Sequence, residues 1–536
     1  MNASHFFYLS ALGGILSSTP ISKAETSRCD CEAVHQVSPT WSAYQKAKQS
    51  GKPTPLIDYS YVGYRRGEVP IPDVKGRTFD VTQYGATPND GKSDKIAIQK
   101  AIDAASKAGG GIIYFPRGRF LINEPGDDQN AIIRVQSSRI ILRGSGSGAG
   151  GTELFMRHAL EAKDPDKMWT TPYMIQVSAP WRKSKQLGKL VQPSPVDSLK
   201  IQMDTPDRLQ AGDWVGIRRR DNSKSAIASA LAPYKPRAEW KKIMEGGVQI
   251  REYHQVKSVQ QSQVTLRAPL HYAVNPDEGW TVEQWSPIVG VGIEDIAFVG
   301  NWHEKFVHHQ SALHDGGWSL LSFSHVANGW VRRCRFTDSN NALSLNNSAH
   351  ITVSEILLDG NKGHAAVAFR NSSHCLGALI DDRASQHHAC GVGGMSSGNV
   401  FWRIRYPSDT SFEAHASQPR HTLFDRVTGG FIDGRWGGAV QSQPNHLEGA
   451  VFWNYHNTSQ DKKAPYEFVK TNKKYGQIIM PHVIGFHGGL VNFVPEQTST
   501  LESLGKPVSP ESLYEAQLQL RLRNTPKWLK ALKKKE

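Results

Sequence analysis

Four polar residues recur at nearly equal intervals in the middle of this 536-residue chain. Asn341, His364, His388 and Glu413 each precede an alanine, and those alanines are separated by 23, 24 and 25 residues. Equivalent positions in successive coils of a stacked sheet lie about 4.8 Å apart. The spacing therefore predicts a polar ladder, and His415, two residues beyond Glu413, would point to the same face of a strand.

The chemistry of such a ladder would be proton transfer. Imidazole is the side chain best suited to exchange protons near neutral pH, and 14 of the 21 histidines lie between His303 and His456. A solvated ladder that only stabilises the coils would show the same spacing. The pattern thus allows a catalytic or a structural interpretation.

A second group of candidate residues lies just after the ladder, between Glu413 and Asn457. Guanidinium groups grip carboxylate or sulfate, and aromatic faces can stack on sugar rings. Together with histidine they are what a cleft for an acidic sugar needs, although the tryptophans could equally be core residues. The candidates for substrate contact in this segment are His421, Arg435, Trp436 and His446, with Arg420 beside them, and His364 of the ladder is a further candidate.

Short strands must position these residues, and the first of them follow a helix. Ser93 or Asp94 can cap a helix in which apolar residues recur at helical spacing up to Gly109, so we predict a helix over residues 93–108. Two strands, Ile112–Phe115 and Phe120–Ile122, then flank a Pro-Arg-Gly turn.

The stretches FDVTQYGATPNDGKSDKIAIQKAID and GGGIIYFPRGRFLI, within residues 77–146, resemble the opening module of the pectate-lyase-like superfamily. The resemblance implies an all-β fold, a right-handed parallel β-helix (solenoid) whose N-terminal end is capped by the helix. Because polysaccharide lyases, glycoside hydrolases and phage tailspikes share this opening, it indicates fold more than chemistry. Residues 413–457 resemble a C-terminal module of some secreted bacterial β-helix proteins of the superfamily, to which we attach no activity.

The domain organisation follows from composition and pattern. We predict a signal peptide at 1–24, an N-terminal extension at 25–76, a β-helix at 77–500 and a basic tail at 501–536 that is solvated and mobile. A small β subdomain is predicted as an insertion at about 155–285, where alternating strands join through polar turns. The signal peptide, for which a short buried helix is the alternative, implies a secreted or periplasmic protein.

The net charge bears on partners. Lys and Arg exceed Asp and Glu by 63 − 49 = 14, which favours polyanions. We expect an anionic polysaccharide as substrate, no nucleic acid, no membrane insertion and a monomer. The superfamily often binds calcium, so the resemblance allows a Ca²⁺ cofactor, but no dense aspartate cluster marks a site and we predict no metal ligands.

Two enzyme mechanisms compete. A lyase must neutralise the carboxylate of a uronic acid, remove the adjacent proton and protonate the leaving oxygen, which basic residues can do. A glycoside hydrolase instead needs two carboxylates. The nearest pair, Asp381 and Asp382, would point to opposite faces of a strand, which leaves Glu413, Asp425 and Asp433. A non-catalytic, polysaccharide-binding or adhesin-like β-helix is a further alternative.

The abundance of arginine and histidine favours elimination. We predict His415 as the base, with Glu413 fixing a histidine tautomer and His388 orienting the base or protonating the leaving oxygen. Arg420 would neutralise the substrate carboxylate, brought over the same cleft with His421 by the intervening turn. Arg435 would be a second anion contact.

Overall fold

The computed structural model describes residues 36–124, 132–432, 436–471 and 476–536. The predicted signal peptide at 1–24, the first part of the extension, Asp433 and Arg435 lie outside the described residues. No helix within the described parts of the chain is long and apolar enough to cross a bilayer.

The elements are numerous short strands with a few helices. The α-helices are α1 (Pro39–Ser50), α2 (Lys95–Lys107), α3 (Lys224–Leu231), α4 (Lys241–Gly246), α5 (Ala312–Gly316), α6 (Leu513–Leu522) and α7 (Lys527–Lys533). Short 3₁₀ turns cover Tyr59–Tyr61, Tyr64–Gly67, Val81–Tyr84, Met168–Thr170, Pro206–Arg208, Pro276–Glu278, Val440–Ser442 and Pro495–Gln497. The strands are β1 (Thr78–Asp80), β2 (Gly111–Tyr114), β3 (Gly118–Ile122), β4 (Ile133–Val135), β5 (Ile140–Arg143), β6 (Thr152–Met156), β7 (Ile175–Ser178), β8 (Gln186–Lys189), β9 (Lys200–Gln202), β10 (Trp214–Asp221), β11 (Val248–Gln260), β12 (Gln263–Leu266), β13 (Thr281–Gln284), β14 (Ile288–Val289), β15 (Gly292–Glu294), β16 (Ala297–Val299), β17 (Ser319–Ser324), β18 (Val326–Ala327), β19 (Trp330–Thr337), β20 (Asn341–Asn346), β21 (Thr352–Asp359), β22 (Ala365–Arg370), β23 (Leu376–Asp382), β24 (Gly391–Gly393), β25 (Ser397–Trp402), β26 (Glu413–Ala414), β27 (Arg420–Asp425), β28 (Thr428–Gly429), β29 (Val451–Trp453), β30 (His456–Asn457), β31 (Lys462–Tyr466), β32 (His482–Ile484), β33 (His487–Gly488), β34 (Val491–Phe493) and β35 (Thr500–Glu502).

Most strands belong to two parallel sheets that the chain visits alternately. One has fifteen strands and includes β19, β21, β23, β25 and β27; the other has seven strands and includes β20, β22, β24 and β26. Each passage through both sheets is one coil, and neighbouring coils pair in parallel. The predicted right-handed parallel β-helix is confirmed, with the hand that parallel crossovers take.

The interior of the coils is filled by stacked apolar side chains. The rings of Phe401, Phe424 and Phe452 come from three successive coils, with centroids 5.6 and 5.4 Å apart. At the corner between the sheets, the hydroxyl of Ser372 accepts the N–H of Ser348 at 3.1 Å. Repetition at coil spacing therefore aligns both core and corner side chains.

The capping helix matches its prediction. Helix α2 runs Lys95–Lys107 and buries Ile98, Ala101, Ile102 and Ala105, the apolar residues at helical spacing. These side chains cover the end of the solenoid core. A parallel β-helix needs such a cover because its first coil has no preceding coil to pack against.

The insertion is an antiparallel sheet of six strands in the order β8-β13-β10-β11-β12-β9, spanning residues 186–284. The predicted start near residue 155 is too early, because β7 pairs in parallel with β4 and β17 of the seven-stranded sheet. Ile175 and Val177 of β7 are buried in the solenoid core. From the alternation of apolar and polar residues alone, a four-residue strand of the solenoid cannot be distinguished from a strand of the insertion.

The C-terminal segment is not the solvated, mobile tail that its charge predicts. Helix α6 buries Tyr514 and Leu518 against apolar residues on the outer face of the fifteen-stranded sheet, where the N-terminal α1 also packs. Asp425 accepts the backbone N–H groups of Leu513 and Tyr514 at the start of α6. The sheet is thus apolar on both faces, as buried parallel sheets are, and the second face needs this cover.

Candidate functional site

The predicted ladder lies at the start of the strands of the seven-stranded sheet. Asn341 begins β20 and Glu413 begins β26, while His364 immediately precedes β22 and His388 forms a bridge with Ala365 just before β24. Asn341 pairs with Ala365, and Ala365 with His388, one residue away from the alignment of alanines. Glu413 pairs with Gly391, three residues away from that alignment. The side chains nevertheless meet, since the rings of His364 and His388 are 5.2 Å apart.

Glu413 and His415 form a hydrogen-bonded pair at the end of this ladder. Nδ1 of His415 contacts Oε1 of Glu413, and Nδ1 of His388 lies 3.7 Å from the same oxygen. Burial alone would raise the pKa of Glu413, but the adjoining His415, through its hydrogen bond, and the charge of Arg370 hold this pKa well below its usual range. The carboxylate is therefore ionised and accepts from the imidazole.

Exposure separates the three residues of this group. The side chain of His415 is 26% exposed, whereas those of Glu413 and His388 are 2% exposed. Burial holds the pKa of His388 well below its usual value, so its ring is neutral near pH 7. His388 can orient the pair, but the predicted role of protonating a leaving oxygen does not fit a buried, neutral imidazole.

Further histidines that the ladder did not predict join it from the segment before α5. The ring of His308 lies 4.2 Å from that of His387 and 5.2 Å from that of His388. His309 bonds through Nδ1 to Oδ2 of Asp315 at 2.6 Å. The only signal for them in the sequence was the overall density of histidine in this region.

A cavity of about 1020 Å³ opens beside His415. One wall comes from α4 of the insertion and the other from the solenoid; the polar lining includes Lys241, Lys242, Glu245, Arg370, His415 and Gln441. Among the described lining residues Glu245 supplies the one carboxylate, so the cavity is basic. The cavity therefore places positively charged side chains around the partly exposed imidazole of His415.

Arg420 does not lie over this cavity, which corrects the prediction. It begins β27 in the fifteen-stranded sheet, whereas Glu413 belongs to the seven-stranded sheet, so the turn between them rounds a corner of the coil. Its Nη1 donates to the carbonyls of Gln249 and Gln418 at 3.0 and 3.1 Å, and its side chain is buried. Arg420 thus holds the insertion against the solenoid.

A second, larger cavity of about 1700 Å³ lies on the Arg420 side, between the insertion, the N-terminal extension and the solenoid. His421 lines it with Tyr272, their rings 5.2 Å apart. Glu448 and Glu278 are also in the lining. His421 is therefore separated from His415, contrary to the predicted shared cleft.

Two other candidates are built into the interior. His446 is buried, bonds Thr422 Oγ1 at 3.0 Å and the Leu447 carbonyl at 2.7 Å, and burial lowers its pKa to about 3. Trp436 is buried and packs against Phe412 at 5.4 Å. Neither can touch a substrate, so both predicted contacts are corrected.

His364, another predicted contact, is bonded within the fold. Its Nδ1 lies 3.0 Å from the carbonyl oxygen of Asp315.

The side chains of the described residues do not offer a site that suits calcium. Ca²⁺ takes six to eight oxygen ligands, whereas the close groups of histidine and acidic residues found in the described ranges contain at most one carboxylate each. Imidazole suits transition metals instead. We derive no step through calcium.

Two family models match parts of the chain. Residues 78–165 match "Rhamnogalacturonase A/epimerase, pectate lyase-like", which confirms the resemblance of the opening module. Residues 385–532 match a domain of unknown function, DUF4955. This second region holds Glu413, His415 and Arg420, together with α6.

Curated relatives match only a short stretch. Mannuronan C5-epimerase AlgE6 of Azotobacter vinelandii is 34% identical over 70 residues, which is 13% of this chain and 8% of that protein. Alginate lyase 7 of the same organism is 41% identical over 71 residues, 13% of this chain and 8% of that protein. The chain thus spans less than a tenth of the length of these relatives.

Solved structures with low identity align over most of the chain. The tailspike gp49 from Pseudomonas phage LKA1 aligns with a TM-score of 0.43 and 13% identity, over 76% of this chain and 71% of that one. The mannuronan C-5 epimerase AlgE4 A-module of Azotobacter vinelandii gives 0.39 and 11%, over 81% and 97%.

Proposed function

We propose that this protein cleaves an acidic polysaccharide by β-elimination at a uronic acid, with His415 as the base. The observation that carries the proposal is the pairing of a partly exposed imidazole with a buried, ionised carboxylate, Glu413, at the edge of a basic cavity. The curated relatives that match a short stretch of the chain include an alginate lyase and a mannuronan C5-epimerase, which supports chemistry on uronic acid polymers.

The hydrogen bond assigns the roles of the two imidazole nitrogens. Because Glu413 accepts from Nδ1 of His415, Nε2 carries the lone pair and is the basic atom. A carboxylate behind the ring also stabilises the imidazolium that forms when the base takes a proton. Glu413 is thus a positioning residue and His415 the residue that contacts substrate.

Because Arg420 does not lie over the cavity, other cations must neutralise the substrate carboxylate. Arg370 ends β22 and lines the cavity beside His415, and Lys241 and Lys242 face it from α4. A guanidinium binds a carboxylate bidentately and lowers the energy of the carbanion formed beside it. We assign this role to Arg370.

The elimination step balances within the substrate and His415. Nε2 takes the proton from C5, the C5–H electrons form the C4–C5 double bond, and the bond from C4 to the glycosidic oxygen breaks. The leaving oxygen then takes a proton, which His415 can return when both groups lie on one face of the ring.

Two alternatives use the same cavity differently. Epimerisation would begin with the same proton abstraction but return a proton to the opposite face of C5, a role that Lys241 or Lys242 could fill from the insertion wall. A hydrolase would need two carboxylates. Of the candidates, Asp425 on β27 is buried and accepts the N–H of Tyr514, and Asp382 is buried at the end of β23. The described residues therefore favour abstraction of a proton.

The test is incubation of the purified protein with pectate, alginate, glucuronan, ulvan and glycosaminoglycans in deuterium oxide. Elimination gives unsaturated ends; epimerisation gives deuterium at C5 without chain cleavage; hydrolysis gives saturated reducing ends and no C5 deuterium. Unsaturated ends from one of these polymers support the proposal. Retained binding without any product would make the protein an adhesin-like β-helix.

A further inference from the structure

A second histidine cluster lies between the insertion and the solenoid, away from His415. Glu252 is on β11 and His271 follows β12, so both belong to the insertion. His374 is a corner residue of the solenoid just before β23, with a φ of 56°. His271 and His374 have ring centroids 4.3 Å apart, and all three side chains are buried.

The three side chains present their ligand atoms to one another. One ligand atom from each of Glu252, His271 and His374 lies within 4.8 Å of the others. Nδ1 of His271 is 3.6 Å from Oε2 of Glu252 and bonds Oγ of Ser397 at 2.9 Å, which leaves Nε2 as the ring nitrogen without a partner. A tetrahedral zinc ion holds its ligands about 2.1 Å away, hence about 3.4 Å from each other, so small side-chain rotations would close the set on an ion.

The cluster also leaves buried nitrogen atoms without hydrogen-bond partners. Both ring nitrogens of His374 are unpaired, as are Nε2 of His271 and Nδ1 of the adjoining His254. His374 is fully buried, and leaving a polar atom unpaired in such a place is destabilising. Several in one spot call for a common explanation, and a bound ion is the simplest.

We propose that Glu252, His271 and His374 bind a divalent transition metal ion, with Zn²⁺ as the ion that best suits imidazole and carboxylate ligands. Imidazole binds a metal through a ring nitrogen that carries a free lone pair, and the unpaired nitrogens of His271 and His374 can supply it.

Neighbouring residues provide the support that metal ligands usually have. Nε2 of His254 bonds Oε2 of Glu252 at 2.8 Å, and the backbone N–H of His271 donates to Oε1 at 3.2 Å. These bonds fix the carboxylate, as partners behind metal ligands do. His271 also lines the larger cavity, which gives the ion a route from solvent.

The consequence is a clamp between two parts of the fold. Two ligands come from the insertion and one from the solenoid, so the ion would fix the insertion, and with it the α4 wall of the His415 cavity. The inference does not depend on the proposed function, because the amount of bound metal can be measured whatever activity the protein has.

The test is metal content and binding with the full protein. Metals are removed and the proteins are then incubated with Zn²⁺ alone. Elemental analysis should find one more equivalent of zinc per protein in the wild type than in Glu252→Gln or His374→Ala. His456→Ala, which removes an exposed imidazole from a stacked pair elsewhere, should match the wild type. Equal zinc in wild type and both cluster variants overturns the proposal.

A spectroscopic readout keeps the proposal testable if the variants fail to fold. Wild-type protein loaded with Co²⁺ should show the intense visible bands of a four- or five-coordinate site, and Zn²⁺ should displace them. Zn²⁺ should also raise the melting temperature of the metal-free wild type. Absence of cobalt bands together with an unchanged melting temperature overturns the clamp.

Discussion

His415 donates from Nδ1 to Oε1 of Glu413, a carboxylate that is buried behind it and ionised. The two residues are two positions apart at the end of β26, and the pair faces a basic cavity on the His415 side. This relationship makes the end of the polar ladder a candidate site of proton transfer.

Gly437 is expected to be indispensable for the pair, because its backbone packs directly on it. A Cβ at Gly437 would lie 2.2 Å from Nδ1 of His415 and 2.7 Å from Oε1 of Glu413. Gly437→Ala should therefore displace the pair and lower kcat by about tenfold or more, with little change in melting temperature. Gly148→Ala, where a Cβ meets nothing within 4 Å, is the control; equal activity in both variants would place the chemistry elsewhere.

Arg370 and Arg420 are expected to have different roles, Arg370 in binding substrate and Arg420 in stabilising the fold. Arg370→Ala should raise KM or lower kcat on an acidic polymer while leaving the melting temperature near that of the wild type. Arg420→Ala should lower the melting temperature, because it removes two buried hydrogen bonds to the carbonyls of Gln249 and Gln418. Thermal unfolding and steady-state kinetics on both variants check this, and a stable, inactive Arg420→Ala would restore its predicted catalytic role.

The C-terminal helix α6 should contribute to global stability. Leu518→Ala removes a fully buried side chain and should cost about 2–5 kcal/mol of unfolding free energy. Leu520 on the same helix is 38% exposed, so Leu520→Ala should cost much less. Urea unfolding measures both; equal, small effects would mean that residues 501–536 are a mobile tail after all.

A buried carboxyl should give the stability a defined pH dependence. Burial raises the pKa of Asp382 to about 7, against about 4 in an unfolded chain. The folded state binds this proton more tightly, so the stabilisation is full below about pH 4 and is lost as pH rises through about 7. Asp382→Asn, which has no proton to lose, should flatten the fall in stability across this range.

Denaturant midpoints between pH 4 and 8 measure that difference. Asp381→Asn is the matched control, because Asp381 is partly exposed and bonded to Arg383 at 2.8 Å. The same slope in the wild type and in Asp382→Asn would show that other groups cause the pH dependence.

The ladder was predictable from the sequence because repetition at coil spacing forces equivalent residues together. The repeat brings His364, His388, Glu413 and His415 beside one another as predicted, even though the register differs by one residue at the first two steps and by three at the last. A repeat fixes which coil a residue occupies more firmly than its position along the strand.

Contacts between parts distant in sequence were not predictable in this way. His308 reaches the ladder from a segment outside the repeat, and Glu252 and His271 meet His374 only because the insertion folds back on the solenoid. Arg420 was misplaced because a five-residue turn can either continue a face or round a corner. The positive charge of the last residues predicted a solvated tail, whereas the packing of α6 shows that one face of this helix is apolar and buried.

The most direct test of the central claim is the ultraviolet absorbance of the conjugated enoate that elimination creates. Wild-type protein is mixed with each acidic polysaccharide in turn, and with the one that responds the measurement is repeated for folded His415→Ala and Glu413→Gln. The account predicts rising absorbance with the wild type and a fall in rate by about a hundredfold or more in His415→Ala, the size expected for loss of a general base. Near-normal rates in folded His415→Ala would contradict it, as would polymer cleavage by the wild type without any enoate.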